Sequence, residues 1–297
     1  FTEVRYKGAK TVAVTPDYSE VSKLCDIWLH PKQGTDAALA MAMGHVALKE
    51  FYLDKRSAYF DDYARRYTDL PLLVLLEERT LDDGPNKGMK VLAPGRYVRA
   101  SDLAGALGET NNSEWKTVAF DSAGKTVVPN GSVGFRWGPE GRGDAGKWNL
   151  EAKEARGNSD VRLKLSVLED GEQSHEVVKV AFPYFAGAEV PHFPANRQAG
   201  GDLNHANVPA VRIALGEGRQ ALVATVFDLQ AAQYGIDRGL GSGAKSYDDD
   251  APYTPAWQEK ITGVPRDQVV TIARQFADNA DKTRGKSMVI IGAAMNH

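Results

Sequence analysis

Thr11-Val-Ala-Val14, Thr15-Pro-Asp-Tyr-Ser19, Asp26-Ile-Trp-Leu29 and Lys32-Gln-Gly-Thr-Asp36, followed by the helix-forming run Ala37–Tyr52, decide the reading of this chain. The first run is short, apolar and β-branched, and Pro16 stops it. Glu20 to Leu24 then fits one to two helical turns. Asp26–Leu29 reads as a second strand closed by His30-Pro31, and a long helix comes next. This βαβα order predicts parallel strands joined by crossover helices. Ligands of such sheets sit outside the carboxyl ends of the strands. The loops 15–19 and 32–36 occupy that place, and each carries a carboxylate and hydroxyls.

Beyond this stretch, Tyr59, Tyr63 and Tyr67 recur every four residues on a predicted helix over 55–67, and Leu70-Pro-Leu-Leu-Val-Leu-Leu76 reads as the next buried strand. From about residue 81 glycine, asparagine and proline become dense. Strands are expected at 95–99, 115–120, 126–128, 161–168 and 177–183, with long loops at 129–160 and 186–207. Val211–Leu215 and Ala221–Val226 flank Gly216-Glu-Gly218 as a hairpin. Residues 227–238 fit a helix closed by Gly239. Helical signals return at Thr254-Pro255, ending at Gly263, and at Pro265, with Val269, Ile272, Ala273, Phe276, Ala277 and Ala280 at helical spacing. Lys286–Ile291 reads as a buried strand. The expected fold is α/β: a parallel-sheet, Rossmann-like portion over 1–80, a β-rich insertion over 81–250, and a returning α/β portion over 251–297.

The 297 residues carry a net charge of −3 and are 42% hydrophobic. No whole-chain charge draws the protein to nucleic acid. No apolar run reaches the ~18–20 residues of a membrane span. Cys25 is the single cysteine, which excludes an internal disulfide and a four-cysteine cluster within this sequence. The six histidines form no ligand pattern in sequence. Gly141-Arg-Gly-Asp-Ala-Gly146 matches a dinucleotide fingerprint, and nearly a P-loop, but comes after no convincing strand. The first strand is followed by no glycine, so an NAD-type oxidoreductase is poorly supported. A non-catalytic assembly module is the other alternative.

For a nucleotide, Asp17 and Asp36 could serve ribose hydroxyls or the guanine N1–H and N2–H edge, with Gly34 and Thr35 at the phosphate end. The bland alternative is helix capping by the same residues.

Val12-Ala-Val-Thr-Pro-Asp-Tyr-Ser19, Cys25-Asp-Ile-Trp-Leu29 and Pro31-Lys-Gln-Gly-Thr-Asp-Ala-Ala38 resemble the molybdopterin-guanine-dinucleotide oxidoreductases. Ala42-Met-Gly-His45, Asp61-Asp-Tyr-Ala-Arg-Arg-Tyr-Thr68, Pro129-Asn-Gly-Ser-Val-Gly-Phe-Arg-Trp137 and Tyr253-Thr-Pro-Ala-Trp257 are similar, within that superfamily, to catalytic alpha subunits of bacterial respiratory nitrate reductases. The resemblance implies a parent enzyme that reduces nitrate at molybdenum bis(molybdopterin guanine dinucleotide). It also implies a [4Fe-4S] cluster with ligands outside this stretch, an iron–sulfur beta subunit, and a membrane-anchored, quinol-oxidising gamma subunit. The expected place is the cytoplasmic face of the bacterial inner membrane, peripheral through the partners. Carried over by position, Thr15, Pro16, Asp17, Tyr18, Ser19, Gly34, Thr35 and Asp36 hold the guanosine end, and Gly292, Asn296 and His297 belong to a further cofactor loop. Because the sequence opens on Phe1 and stops soon after a strand signal, it reads as an internal piece of a longer protein. No residue of it is assigned to catalysis or to metal.

Overall fold

The computed structural model describes residues 2–82, 86–107, 113–129, 161–169, 174–183 and 203–291. Among these, the α-helices are α1 (Thr2–Tyr6), α2 (Glu20–Lys23), α3 (Asp36–Ala47), α4 (Ala58–Tyr67), α5 (Val226–Gln233), α6 (Pro255–Thr262) and α7 (Arg266–Thr283). The strands are β1 (Val12–Val14), β2 (Ile27–Leu29), β3 (Leu73–Thr80), β4 (Lys90–Tyr97), β5 (Ala119–Phe120), β6 (Thr126–Val127), β7 (Glu176–Pro183), β8 (Leu203–Ala214) and β9 (Gln220–Thr225). They fall into two compact units, with chain crossings at 55/56 and 243/244.

In the unit containing residues 2–55 and 244–291, β1 and β2 pair in parallel, Val12 opposite Ile27 and Val14 opposite Leu29. α3 buries Ala38, Leu39, Ala42, His45 and Val46, a stripe at helical spacing. Leu29, Leu39 and Ala42 pack with Val264, Val269 and Ile272, so α6 and α7 close over α3 and β2. The helix expected over 37–52 is α-helical only to Ala47; Leu48–Asp54 widens into a π-helix, with Lys55 N–H donating five residues back to the Glu50 carbonyl at 2.9 Å. That widened turn carries Glu50, whose carboxylate accepts from Tyr247 Oη at 2.8 Å and Arg274 Nε at 2.7 Å. Burial raises the Glu50 carboxyl, but these two donors outweigh it and its pKa lies below the usual value. α6 starts and stops where its sequence signals stand. The Thr254 hydroxyl accepts from the Trp257 N–H at 3.1 Å, and Gly263 takes a left-handed φ of 79°.

The other unit, with residues 56–183 and 203–243 described in part, is built on an antiparallel sheet of order β4-β3-β9-β8-β7. It curls until its outer strands β4 and β7 meet. Alternate side chains divide between two cores, as strand geometry requires. Leu73, Leu75, Val211, Ile213 and Val223 pack with Val98, Val118, Phe120 and Val167. Val74, Leu76, Val208, Ala210, Leu222 and Ala224 pack with Val180, Phe182 and α5. The β8–β9 hairpin turns at Gly216–Gly218, as the sequence indicates.

Several expectations need correction. The fold is mixed α/β, but the parallel, Rossmann-like sheet reduces among the described residues to β1 and β2. The apolar run at 70–76 is not a third parallel strand; β3 lies between β4 and β9, antiparallel to both. A strand buried on both faces has the same unbroken apolar signature in either sheet type. Residues 161–168 form no strand, only a Leu163 bridge to Asp121, because they serve as a buried coil held by side chains. Part of the loop expected over 186–207 is the start of β8. Residues 286–291 form no strand, and Met288, Val289, Ile290 and Ile291 are 76%, 69%, 78% and 54% exposed rather than buried. The glycine matches at 141–146 and the loop 129–160, apart from Pro129, lie outside the described residues.

Candidate cofactor-binding rim

The parallel pairing of β1 with β2 fixes where the chain leaves each strand. Val14 lies opposite Leu29, so Thr15 and His30 leave the pair at the same end. Thr15 N–H still donates to the Leu29 carbonyl at 3.1 Å, and the Trp28 indole N–H donates to the Thr15 carbonyl at 2.9 Å. The loop after β1 is shaped by its own backbone: the Asp17 carbonyl accepts from Ser19 N–H at 2.9 Å and from the Ser22 hydroxyl at 3.2 Å. Ser19 stands at the N-cap of α2 without a side-chain cap bond. Pro16, Asp17, Tyr18 and Ser19 are exposed.

The loop before α3 turns at Gly34, whose φ is 75°, and a Cβ added there would meet nothing within 4 Å. Glycine is therefore demanded by the backbone, and the space beside it is open. Thr35 occupies the N-cap position expected of it but does not cap. Its backbone is at φ −114° and its hydroxyl donates to the Lys32 carbonyl at 2.6 Å. Asp36 opens the first turn of α3 and is exposed. The carboxylates of Asp17 and Asp36 meet no donor among the described residues, so neither is spent on the fold. This leaves hydrogen-bond acceptors, an open glycine turn and the amino end of a twelve-residue helix beside two strand ends. That set suits a hydroxyl-rich, anionic ligand such as a nucleotide. Gly292, Asn296 and His297 lie outside the described residues.

At the opposite end of β1 the sheet is latched. Asp26 accepts from Thr11 N–H at 2.7 Å, the Thr11 hydroxyl at 2.8 Å and Arg5 at 3.0 Å. The Thr11 bonds first, and then Arg5, hold the Asp26 carboxyl at a pKa of about 2.

Sequence reasoning missed two features. Tyr18, Trp28 and His30 form a ladder of rings. Tyr18 to Trp28 is 5.1 Å between centroids at 65°, and Trp28 to His30 is 4.9 Å at 45°. The available signal was an aromatic residue in the loop after β1, one within β2 and one just past it. In the other unit, buried Asp228 accepts from Ser166, Val167 N–H, Thr225 and Arg238. No local pattern foretells that set. Among the described residues no three His, Cys, Asp or Glu side chains are grouped to hold a metal ion. No helix there is long and apolar enough to cross a membrane.

A family model described as "Molybdopterin oxidoreductase" matches residues 2–297, and the chain belongs to that family. Membership implies a molybdenum–molybdopterin cofactor. The chain is 56% identical over 299 residues to the respiratory nitrate reductase 1 alpha chain of Escherichia coli (strain K12), covering all of this chain and 22% of that protein. It is 40% identical to the nitrate reductase alpha chain of Bacillus subtilis (strain 168), over 99% of this chain and 22% of the relative. It is 24% identical, over its whole length, to the perchlorate reductase subunit alpha of Dechloromonas aromatica (strain RCB), of which it covers 23%. The chain thus spans roughly a fifth of the length of these relatives.

Proposed function

We propose that this chain is part of the molybdenum-containing catalytic subunit of a respiratory nitrate reductase, and that its role there is to grip the guanosine end of a molybdopterin guanine dinucleotide. The observation that carries the reading is whole-length similarity to nitrate reductase alpha chains, combined with two unspent carboxylates at the carboxyl ends of paired parallel strands. Thr15, Pro16, Asp17, Tyr18 and Ser19 form one wall. Gly34, Thr35 and Asp36 form the other. Asp36 and Asp17 accept from ribose or guanine, and the open side of Gly34 admits the pyrophosphate. Bound in the parent enzyme, the cofactor's molybdenum supplies the two-electron chemistry that takes nitrate to nitrite. The residues of this chain hold and orient it.

The exposed segment 286–291 extends the same idea. Added in parallel to the edge of β1 opposite β2, which pairs with no other strand among the described residues, it makes a three-stranded Rossmann-like sheet. Gly292, Asn296 and His297 come after it in sequence and complete the proposed set. The iron–sulfur cluster of the parent is held by residues outside this chain. Electrons arrive through an iron–sulfur beta subunit and a membrane-anchored, quinol-oxidising gamma subunit at the cytoplasmic face of the membrane.

The test is made in the full-length parent enzyme carrying Asp17→Asn and Asp36→Asn together. Guanine nucleotide released by acid, counted per polypeptide, should fall well below the unsubstituted level, and nitrate reduction with it. Full guanine content with unchanged nitrate reduction would sink the assignment.

A further inference from the structure

We infer that Gln258 and Thr262 of α6 are positioning residues for the turn at Gly34: a buried ring of hydrogen bonds at the end of α6 fixes the backbone of Lys32, and through it one wall of the rim. The inference rests on the nucleotide reading of the rim and adds to it the support that holds that wall in place. Both residues act through Lys32 rather than on the ligand.

The hydrogen bonds lead there step by step. Residues 32–35 form a tight turn. Thr35 N–H donates to the Lys32 carbonyl at 3.2 Å, the Thr35 hydroxyl donates to the same oxygen at 2.6 Å, and Gly34 stands third with φ 75°. A turn held on one side only can pivot. The second hold comes from the far end of the sequence: Lys32 N–H donates at 2.9 Å to the carbonyl of Thr262, the last residue of α6.

The end of α6 is fixed beyond what ending a helix requires. Gly263, at φ 79°, already caps it by donating its N–H to the Glu259 carbonyl at 2.9 Å. In addition, the Thr262 hydroxyl donates to Gln258 Oε1 at 2.7 Å and accepts from Val264 N–H at 3.0 Å. Gln258 Nε2 donates to the Val264 carbonyl at 2.8 Å and closes the ring. Gln258 and Thr262 are fully buried. Burying an amide and a hydroxyl is costly, and a fully satisfied network offsets that cost while fixing one geometry. The geometry fixed is that of residues 262–264. Val264, with both backbone groups in the ring, packs with Leu29 at the end of β2 and Leu39 near the start of α3. The strand before the turn, the turn itself and the helix after it are thus registered to the same three residues.

The experiment uses the full-length parent enzyme and follows guanine nucleotide retained per folded polypeptide over time, in urea below the unfolding range. Thr262→Val keeps the side-chain shape and leaves Val264 N–H without its acceptor. Gln258→Met spares that bond and is the milder change. Thr262→Ser keeps the hydroxyl. Thr254→Ala removes the N-cap at the opposite end of the same helix, so it costs stability without touching the ring. Thr262→Val should lose guanine nucleotide about tenfold faster than the unsubstituted enzyme and Gln258→Met about threefold faster, with Thr262→Ser and Thr254→Ala within about twofold of it. Should Thr262→Val fail to fold, Gln258→Met against Thr254→Ala decides. Loss from Thr254→Ala as fast as from the ring variants would overturn the inference, because the stability of α6 alone would then account for retention. Ring variants that retain guanine like the unsubstituted enzyme would overturn it too, and would leave the rim reading intact so long as Asp17→Asn with Asp36→Asn loses its guanine. Full guanine content in that double variant would remove the rim reading, and this inference with it.

Discussion

Removing the Asp228 carboxylate should destabilise the β-rich unit more than any surface ion pair could. Asp228 is fully buried and Arg238 is 8% exposed, and their charged atoms lie 2.6 Å apart. The same carboxylate accepts from Ser166 Oγ at 2.6 Å, Val167 N–H at 2.9 Å and Thr225 Oγ1 at 2.8 Å. Arg238 also donates to Ser166 Oγ at 2.7 Å. By contrast the Lys90–Glu78 pair is 67% and 65% exposed, and such pairs contribute about 0–1 kcal/mol. Asp228→Ala leaves a buried guanidinium without its counter-charge, together with three orphaned donors. Loss of one partner from a buried pair costs about 3–5 kcal/mol. The individual bonds are not summed, because they share one desolvation cost. For a unit of this size that loss lowers the melting temperature by roughly 6–20 °C. Calorimetry of the unit's transition reads the shift, and hydrogen exchange at Val167 should accelerate in parallel. Asp228→Leu with Arg238→Met removes both charges and should recover most of the loss, since the desolvation goes with them. A shift under about 2 °C for Asp228→Ala, or a double variant as unstable as the sum of the singles, would refute the reasoning.

Two further outcomes concern the rim and its latch. Gly34→Ala should cost stability by about 1–2 kcal/mol, from the left-handed backbone alone since an added Cβ touches nothing, and Gly34→Asn should cost less; chemical denaturation distinguishes them, and equal costs would contradict the conformational explanation. Asp26 is held at a pKa of about 2, below its unfolded value, so its stabilising contribution is complete above about pH 4 and is lost as pH falls toward 2. The protection factor of the Thr11 amide, its intrinsic exchange rate at each pH divided by the observed rate, should fall between about pH 5 and about pH 2 in the unsubstituted chain, and Asp26→Asn should remove that fall.

What the sequence discloses here is local, and what it withholds is a matter of partners. Thr254, Pro255 and Gly263 bound α6 in the sequence as they do in the structure, because a cap acts on backbone groups a few residues away. Gly216-Glu-Gly218 likewise turns a hairpin whose strands are neighbours in sequence. The run at 70–76 could not announce its sheet, because its partners are Tyr97, Val118 and the strand at 220–225, and an apolar run does not encode the direction of its neighbours. Asp228 and Ser166 meet across 62 residues of sequence, so that network is invisible to any periodicity.

The rim lies between these cases. Its loops were legible because turn residues come after apolar runs. The meaning of Asp17 and Asp36 was not, because a carboxylate beside a helix start reads first as a cap. The structure bears on side-chain capping alone: Thr35 turns its hydroxyl back to Lys32, Ser19 makes no side-chain cap bond, and both acids stay open to solvent. Side-chain capping is therefore not what Ser19 and Thr35 do, while Asp36 keeps the first-turn position that complements the dipole of α3. The nucleotide role proposed for Asp17 and Asp36 gives these open acids a task, and the guanine count of the parent enzyme carrying Asp17→Asn and Asp36→Asn is its most direct measurement.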